Sequence, residues 1–295
     1  MVARMNEPLV SVSLPVYNRA EIVRKSIDSI LAQTFRDFEL IIVDDGSTDD
    51  LAGTVAFYND DRMRIVRHEK NHGLYAARNT GIKASRGKYI AFHDSDDVWH
   101  SKKLEEEIAL LKDTPANVGG VYSQIEKTYR DGTYIHVPPD GFSPTEGNLM
   151  DTFLRGDFFI TMQALMVKRE CFDAGLSFDA SFPVFGDGDF IIQFSKKYDL
   201  VYNPNIRVTL TISEDSISRN TRKRVAAREK LFLKEFDLYK RNADTFALNA
   251  YRIGKSFEGF GDNQKARKYL GMAAVARPFS MRYVVSWLRA LVLRR

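Results

Sequence analysis

The sequence predicts an α/β fold in which helices flank a mostly parallel central sheet, with a helical extension at the carboxyl terminus. Over roughly the first hundred residues, short apolar runs alternate with amphipathic segments, a pattern that favours a doubly wound sheet. Two of these runs, FELIIV at 38–43 and YIAF at 89–92, are apolar apart from Glu39, as is typical of strands covered on both faces. After about residue 216 the spacing of apolar residues becomes helical and the sequence becomes basic.

The predicted elements follow one another in strand–helix order as far as residue 112. The first strand is predicted from the alternation of Val10, Val12 and Leu14, and the helix after it begins at Ile22. Strands are predicted at 10–16, 38–45, 63–68 and 88–93, and helices at 22–31, 74–85 and 99–112. This order predicts β–α repeats that build a parallel sheet.

The residues after 112 follow a less regular pattern. Asp131-Gly132, between two segments with period-two patterning, predicts a hairpin, and a helix at 187–197 precedes a strand at 200–212. The stretch 247–278 resembles one helix–turn–helix unit of the tetratricopeptide type, and a single copy does not predict a repeat array. The predicted domains are 1–215, with halves at 8–112 and 113–215, and a basic helical region at 216–295.

Composition excludes several classes of protein. Of the 295 residues, 44% are hydrophobic and 28% charged, and the single cysteine, Cys171, rules out an internal disulfide and a Cys-rich zinc site. The amino terminus lacks the apolar core of a signal peptide, and no stretch reaches the roughly 18 apolar residues of a membrane span. We therefore expect a soluble or peripheral protein of the cytoplasm.

Positive charge is unevenly distributed along the chain. The net charge is only +4, but no acidic residue follows Asp262, and a second basic run lies at 219–230. Such blocks suit an anionic membrane surface, a phosphorylated substrate or a nucleic acid, and they also suit a solvated helix face. Aromatic and basic residues do not alternate on the predicted strands, so we do not expect a nucleic acid as partner.

Two groups of acidic residues follow predicted strands. Asp44 and Asp45 come after FELIIV, and Asp94, Asp96 and Asp97 come after KYIAF. In open α/β sheets, ligands bind outside the carboxyl ends of the strands. An aspartate there also caps a following helix, but capping explains one acid in each group and not two or three. Because hard divalent cations prefer oxygen ligands completed by substrate phosphates, the pattern predicts a Mg²⁺ or Mn²⁺ site beside a phosphate compound.

The motifs themselves resemble a known family of enzymes. VSVSLPVYNRAEIVRKSIDSILAQTFRDFELIIVDDGSTDD and NHGLYAARNTGIKASRGKYIAFHDSDDVW are similar to an inverting glycosyltransferase of family 2, whose fold is called GT-A. The similarity covers 8–112 closely and extends more loosely through GLSFDASFPVFGDGDF. The resemblance implies a metal-dependent enzyme that moves one sugar from a UDP-, GDP- or dTDP-linked donor to an acceptor hydroxyl, with inversion of the anomeric centre. It also implies a setting in surface polysaccharide or glycolipid synthesis.

The family's nucleotide-sugar site carries over onto this chain by position. The resemblance implies that Asp45 hydrogen-bonds the base with support from Asp44, and that Asp94 contacts the ribose. Asp96 and Asp97 are the candidates for the metal ligand, and the choice between them stays open. The remaining members of the implied nucleotide-sugar site are Pro15, Tyr17, Asn18, Gly73, Arg78 and Asn79.

The resemblance also implies a catalytic base. In the family a Glu-Asp-x-Asp motif holds this base at its central aspartate, which corresponds here to Asp187 in FGDGDF. Gly186 replaces the first acid of that motif, so Asp189 remains a second candidate. The family's Gln-x-x-Arg-Trp element of processive synthases is missing after the base, which favours the transfer of a single sugar.

The carboxyl-terminal segment 279–295 predicts where in the cell the protein acts. Its apolar residues share one helix face, with arginines around it, as in helices that lie at a membrane interface. The alternative is a helix that packs on its own domain. The interfacial interpretation predicts a lipid-linked saccharide as acceptor and the inner face of the cytoplasmic membrane as location. A non-catalytic nucleotide-sugar-binding module is the alternative to an enzyme.

Overall fold

The computed structural model describes residues 7–143, 145–158, 160–211 and 221–292. Within these ranges nine strands form one sheet in the order β3-β2-β1-β4-β8-β6-β9-β5, and β7 pairs with β6. The strands of the first half are β1 (Val10–Val16), β2 (Phe38–Asp44), β3 (Met63–Arg67) and β4 (Tyr89–Phe92). The helices between and after them are α1 (Val23–Leu31), α2 (Leu51–Ala56), α3 (Leu74–Ala84) and α4 (Lys103–Leu111), with the two-residue strand β5 (Val98–Trp99) before α4.

Strands β1 to β4 form the parallel part of the sheet. Every residue of β1, β2 and β4 is buried, as expected of strands covered on both faces, and this includes the polar side chains of Ser11, Ser13 and Glu39. In the pairing of β1 with β2, Val16 lies opposite Asp44, and in the pairing of β1 with β4, Ser13 lies opposite Phe92. This register brings the carboxyl ends of the three strands to the same edge of the sheet.

The second half of the sheet is largely antiparallel. Its strands are β6 (Val118–Thr128), β7 (Tyr134–Val137), β8 (Leu165–Lys168) and β9 (Asp199–Thr211). β8 runs antiparallel to both β4 and β6, whereas β9 is parallel to β6. Its helices are α5 (Met150–Arg155), a 3₁₀ turn (Met162–Ala164), α6 (Arg169–Asp173) and α7 (Gly186–Ser195).

The predicted α/β fold is confirmed, with differences in detail. The hairpin at Asp131-Gly132 forms, with Gly132 at a φ of +82°. A helix was expected from residue 99, but α4 begins at Lys103, because Trp99 belongs to β5 and pairs with Val208 of β9. The pattern also failed to indicate α2 and β8, which are too short to show a period. Ile212, the last residue of the predicted strand at 200–212, lies outside the described residues.

Contacts divide the chain into two compact units. The first comprises 1–150, 158–182 and 186–216 and contains the sheet. The second comprises 151–157, 183–185 and 217–295, and its helices are α8 (Thr221–Lys234), α9 (Phe236–Lys240), α10 (Ala243–Gly259), α11 (Asn263–Ala276) and α12 (Met281–Val292). The domain boundary predicted at 215–216 stays a prediction.

The second unit is built around the pair α10 and α11. Gly254 permits their close approach, because a Cβ there would lie 2.8 Å from Cγ of Leu270. The core of the unit is aromatic and includes Phe232, Phe246 and Tyr269. Among the helices described, none combines the length and the apolarity needed to cross a bilayer.

Candidate active site

The loops at the carboxyl edge of β1, β2 and β4 bring the predicted site residues of the first unit together. Asp45 is 3% exposed and acts mainly as an anchor for the segment before α3. Its Oδ1 accepts hydrogen bonds from the backbone N–H of His72 (2.9 Å) and lies 2.7 Å from Nδ1 of His68, and its Oδ2 accepts from the backbone N–H of Gly73 (2.8 Å). With a single donor in these contacts, Oδ2 keeps capacity to accept a further N–H, such as that of a nucleotide base.

Asp44 fixes the turn that follows β2, next to Asp45. It is fully buried, with Oδ1 accepting from the backbone N–H of Ser47 (2.7 Å) and Oδ2 accepting from Arg67 (2.8 Å). Gly46 follows at a φ of +76°, and a Cβ there would lie 2.5 Å from the backbone of Lys70. Only glycine fits at this close approach.

The loop after β1 is fixed to the same turn. Asn18 adopts a left-handed backbone with a φ of 51°, and its Oδ1 accepts from the backbone N–H of Thr48 at 2.7 Å. Its own N–H donates to the hydroxyl of Ser47 at 3.0 Å. Pro15 is buried inside β1, whereas the side chain of Tyr17 is 45% exposed and is the member of this loop that can contact a ligand.

The acidic loop after β4 separates its three carboxylates. Asp97 is 5% exposed and accepts a hydrogen bond from the amide of Gln163. Burial, and then the charges of Asp94 and Asp96, raise the pKa of Asp97 well above its usual value. The Asp96 side chain is 41% exposed and pairs with Arg19 at 2.5 Å. Of the two candidate metal ligands, Asp96 is therefore the one whose oxygens face solvent.

His93, at the start of this loop, is a packed side chain. It is fully buried, and its ring centroid lies 4.7 Å from that of Trp99. Burial lowers its pKa to about 4, which keeps the imidazole neutral. Its Nδ1 lies 2.6 Å from the carbonyl of Asp94 and fixes the backbone from which the acidic loop departs.

Arg78 occupies the centre of the site and lies fully buried. One terminal nitrogen donates to Asp94 at 2.8 Å, and the other donates to Asp187. Its guanidinium carbon lies 5.7 Å from the ring of Tyr75 and 5.5 Å from the ring of Phe178. Because both terminal nitrogens bind carboxylates, the geometry favours a positioning role over the phosphate contact implied by the family resemblance.

Asp187 lies in the first turn of α7, with its side chain 33% exposed. Burial raises its pKa, the charge of Arg78 opposes that shift, and the charge of Asp94 adds to it. Asp189 is 1% exposed, and its Oδ1 lies 3.4 Å from the amide of Gln193. Of the two candidate bases, only Asp187 is accessible to a substrate.

Tyr75 explains the glycine that departs from the family motif. Its hydroxyl accepts a hydrogen bond from the backbone N–H of Gly186 at 2.8 Å. A Cβ on Gly186 would lie 2.7 Å from the Tyr75 ring, so the ring occupies the space of the missing glutamate. This supports the alignment that makes Asp187 the central aspartate.

Asn79 and Gly73 fix the course of the backbone around the site. The side chain of Asn79 donates to the carbonyl of Phe178 (2.8 Å) and accepts from its N–H (2.9 Å), which anchors the segment that leads towards α7. Gly73 starts α3 at a φ of 91°.

Sequence reasoning missed Arg19, His68, Tyr75 and Gln163. Arg19 and His68 stand beside strand ends in the sequence, whereas nothing in the pattern marks Gln163.

The chemistry of the acidic loop fits a hard divalent cation in part. Within the ranges that the structure covers, no group of three or more His, Cys, Asp or Glu side chains is arranged to hold a metal ion. Burial is the main cause of the raised pKa of Asp97, and a cation would relieve the smaller part that comes from the charges of Asp94 and Asp96. A cation at Asp96 would therefore take most of its ligands from substrate phosphates and water.

Comparison with known proteins identifies what the chain is similar to. The model of glycosyl transferase family 2 matches residues 11–175. The UDP-Glc:α-D-GlcNAc-diphosphoundecaprenol β-1,3-glucosyltransferase WfgD of Escherichia coli is 36% identical over 132 residues, which are 44% of this chain and 52% of that protein. The putative teichuronic acid biosynthesis glycosyltransferase TuaG of Bacillus subtilis is 35% identical over 138 residues, 45% of this chain and 54% of that protein.

Rickettsial relatives of unknown activity are longer. An uncharacterized glycosyltransferase of Rickettsia felis is 39% identical over 138 residues, which are 47% of this chain and 23% of that protein. The chain thus spans between about a fifth and about half of the length of these curated relatives.

Solved structures share the fold at low identity. TarS of S. aureus has a TM-score of 0.68 at 17% identity and covers 95% of this chain and 88% of its own. The mannosyltransferase PcManGT of Pyrobaculum calidifontis, solved with GDP-Man and Mn²⁺, has a TM-score of 0.64 at 19% identity, covering 99% of this chain and 82% of its own. At such identities the likeness shows the GT-A-like fold alone.

Proposed function

Because the chain belongs to glycosyl transferase family 2, we propose that it transfers a single sugar from a nucleotide diphosphate sugar to an acceptor hydroxyl, with inversion. The observation that carries this proposal is the bridge formed by Arg78. It holds Asp94 of the acidic loop and Asp187 of α7 on opposite ends of one guanidinium. The carboxylate that would bind the donor and the acid that would act as base are thus held by the same side chain, which supports an in-line displacement between them.

The donor would lie along the carboxyl edge of the parallel strands. Asp45 would accept an N–H of the base, Tyr17 would contact the nucleotide, and Asp94 would bind the ribose. Proteins with this fold support such a donor, since TarS was solved with UDP-GlcNAc and PcManGT with GDP-Man.

Asp96 would hold a Mg²⁺ or Mn²⁺ ion, with Asp97 as a buried support that shapes the loop through Gln163. When bound, the ion would neutralise the charge that develops on the diphosphate leaving group. The ion pair between Asp96 and Arg19 would open on binding, because the carboxylate has to turn from the guanidinium to the metal.

Asp187 would act as the general base. It takes the proton of the acceptor hydroxyl while the oxygen attacks the anomeric carbon and the diphosphate departs from the opposite face. Only the ionised carboxylate can do this, and its raised pKa brings the base closer to neutral pH, where proton transfer is efficient. Activity is therefore expected to fall as the pH drops through the pKa of Asp187.

The names of two relatives and the exposed apolar residues at and before α12 support a proposal for the acceptor and for the cellular location. WfgD is named for a GlcNAc-diphospholipid acceptor and TuaG for teichuronic acid synthesis, which supports a lipid-linked saccharide in surface polysaccharide synthesis. Along 279–292, the exposed apolar side chains are Phe279 (99%), Met281 (74%), Leu288 (51%), Leu291 (49%) and Val292 (79%). With arginines around them, they fit an anionic leaflet at the inner face of the cytoplasmic membrane. Arg294 and Arg295 lie outside the described residues.

The direct test is hydrolysis of a panel of nucleotide sugars with and without Mn²⁺, followed by transfer to a lipid-linked acceptor. Wild-type protein should release the nucleotide diphosphate only with the metal, and Asp187→Asn should bind the donor without transferring the sugar. Asp131→Asn, which removes an acid from the exposed β6–β7 turn, is the matched control. A protein that binds a nucleotide sugar but never turns it over would instead be a non-catalytic binding module.

A further inference from the structure

The second unit contains a group of three arginines that the proposed transfer does not use. Arg224 and Arg228 stand four positions apart on α8 and so share one face of that helix. Arg252 comes from α10, a helix that packs on α8, and its Nη1 donates to the carbonyl of Arg155 at 2.5 Å. Like charges gathered in this way repel one another, so their arrangement calls for an explanation.

The central member, Arg228, is partly buried and lies over the ring of Phe185. Its guanidinium carbon lies 5.9 Å from the ring centroid of Phe185. Burial, followed by the charges of Arg252 and Arg224, lowers its pKa, and Tyr239 opposes this shift. Phe185 itself has a φ of 64°, an uncommon backbone for a bulky residue.

Several carboxylates in the same unit are engaged elsewhere. Glu229, next to Arg228 in the chain, accepts from Lys265 (2.7 Å) and from the hydroxyl of Tyr269 (2.8 Å). Asp157 pairs with Arg155. In the part of the chain that the structure describes, none of the three clustered arginines forms an ion pair with a carboxylate. A partly buried guanidinium without a counter-ion is costly, and an anion from solution would relieve that cost.

We propose that Arg224, Arg228 and Arg252 form a second ligand site that binds a phosphate or diphosphate group. Guanidinium forks match phosphate oxygens bidentately, and the ring of Phe185 covers one side of the Arg228 guanidinium. The bond from Arg252 to the carbonyl of Arg155 holds that side chain in place before the ligand arrives.

The test is calorimetric titration of the full chain with inorganic pyrophosphate. EDTA is present throughout, so that diphosphate binding at the acidic loop, which would need a divalent cation, does not contribute. Arg228→Gln should weaken pyrophosphate binding by about tenfold to a hundredfold, the effect of losing a charged hydrogen bond. Arg222→Gln is the control, because it removes an arginine of the same helix whose side chain packs on Phe260. Its affinity should stay within about twofold of wild type, as is usual for a single exposed charge.

Equal affinity in wild type and Arg228→Gln would overturn the proposal, and so would an equal loss in Arg222→Gln. Arg228→Gln should melt close to wild type in phosphate-free buffer, because the relief of repulsion from Arg224 and Arg252 offsets the lost contact with Phe185. If it does not fold, Arg224→Gln decides, since the exposed Arg224 contributes no packing, and it should lose about threefold in affinity. The titration involves no sugar nucleotide and no turnover, so its failure is separate from a failure of the proposed transfer.

Two carriers of the phosphate group are distinguished by a second measurement. Flotation with phosphatidylglycerol vesicles is compared for wild type and Arg228→Gln. If both proteins bind vesicles equally while only wild type binds pyrophosphate, the site takes the diphosphate of an acceptor. A parallel loss in both assays assigns the site to a lipid headgroup of the bilayer, and either outcome supports a phosphate site.

Discussion

Replacing Arg78 with methionine tests whether this residue positions the base or binds phosphate. The substitution keeps an unbranched side chain in a fully buried position but removes the charge that lies between Asp94 and Asp187. Breaking a buried ion pair from one side costs about 3–5 kcal/mol. Because the two carboxylates are 24% and 33% exposed and keep some hydration, we expect the lower end, about 3 kcal/mol of unfolding free energy.

That loss should appear as a fall in melting temperature of about 6–12 °C for a domain of this size. Differential scanning fluorimetry measures it, with Arg86→Met as the control. Arg86 also binds a carboxylate, that of Glu39, but its side chain is 47% exposed and Arg64 shares the same partner. The control should therefore lose about 1 kcal/mol or less.

The same substitution has a consequence for the pH profile of transfer. Arg78 lowers the pKa of Asp187, so its loss should raise that pKa further. Since the ionised base is the active form, the acid limb of kcat/KM should move to higher pH. Arg78→Lys should show a smaller shift, because an ammonium supplies the charge but not a fork that reaches both carboxylates. An unchanged acid limb combined with a raised KM for the donor would refute the positioning role and support phosphate binding.

Four further substitutions test the remaining assignments. Asp187→Asn should lower kcat at least a hundredfold, as expected for loss of a general base, while calorimetry shows unchanged donor affinity. Asp96→Asn should abolish the gain in donor affinity that Mn²⁺ gives, without changing binding in EDTA. Gly186→Ala should cost about 1–3 kcal/mol in urea denaturation, because its Cβ overlaps the ring of Tyr75. Leu291→Gln should reduce flotation with anionic vesicles without lowering the melting temperature, because the side chain is half exposed.

Each of these results has a counterpart that would contradict the assignment. Wild-type turnover in Asp187→Asn would contradict the assignment of Asp187 as the base. If Mn²⁺ raised the donor affinity of Asp96→Asn as much as that of wild type, Asp96 would not be the metal ligand. A Gly186→Ala protein of full stability would show that Tyr75 can move aside. If Leu291→Gln did not reduce vesicle binding, or if the protein bound neutral and anionic vesicles equally, α12 would be a helix that packs on its own domain and not one that binds an anionic membrane.

The positions of the two acidic groups at one edge of the sheet could be predicted from the sequence. Asp44 and Asp94 follow mostly apolar runs, and such runs form parallel strands whose carboxyl ends share an edge. The observed register of β1 with β2 and β4 brings them to that edge as expected. This inference needed only local patterns and one general rule of topology, and for that reason the sequence alone supports it.

The roles of Arg78 and Asp97 could not be found in this way. The partner of Arg78 in α7 stands 109 positions away, and the amide that binds Asp97 stands 66 positions away. Neither distance along the chain nor residue type says which of several acids an arginine will meet, because burial and rotamer are set by the packing of distant segments. The same holds for Gly186, whose identity makes sense only beside the ring of Tyr75.

The sequence by itself determined the fold class, the family and the strand ends at which the acids gather, because periodicity and short motifs are local properties of a chain. Only the tertiary structure decided which acid faces solvent, which one is held by a buried guanidinium, and which arginines of the second unit lie near one another. Those outcomes depend on desolvation and on the geometry of contacts between remote segments. Neither quantity is fixed until the chain has folded.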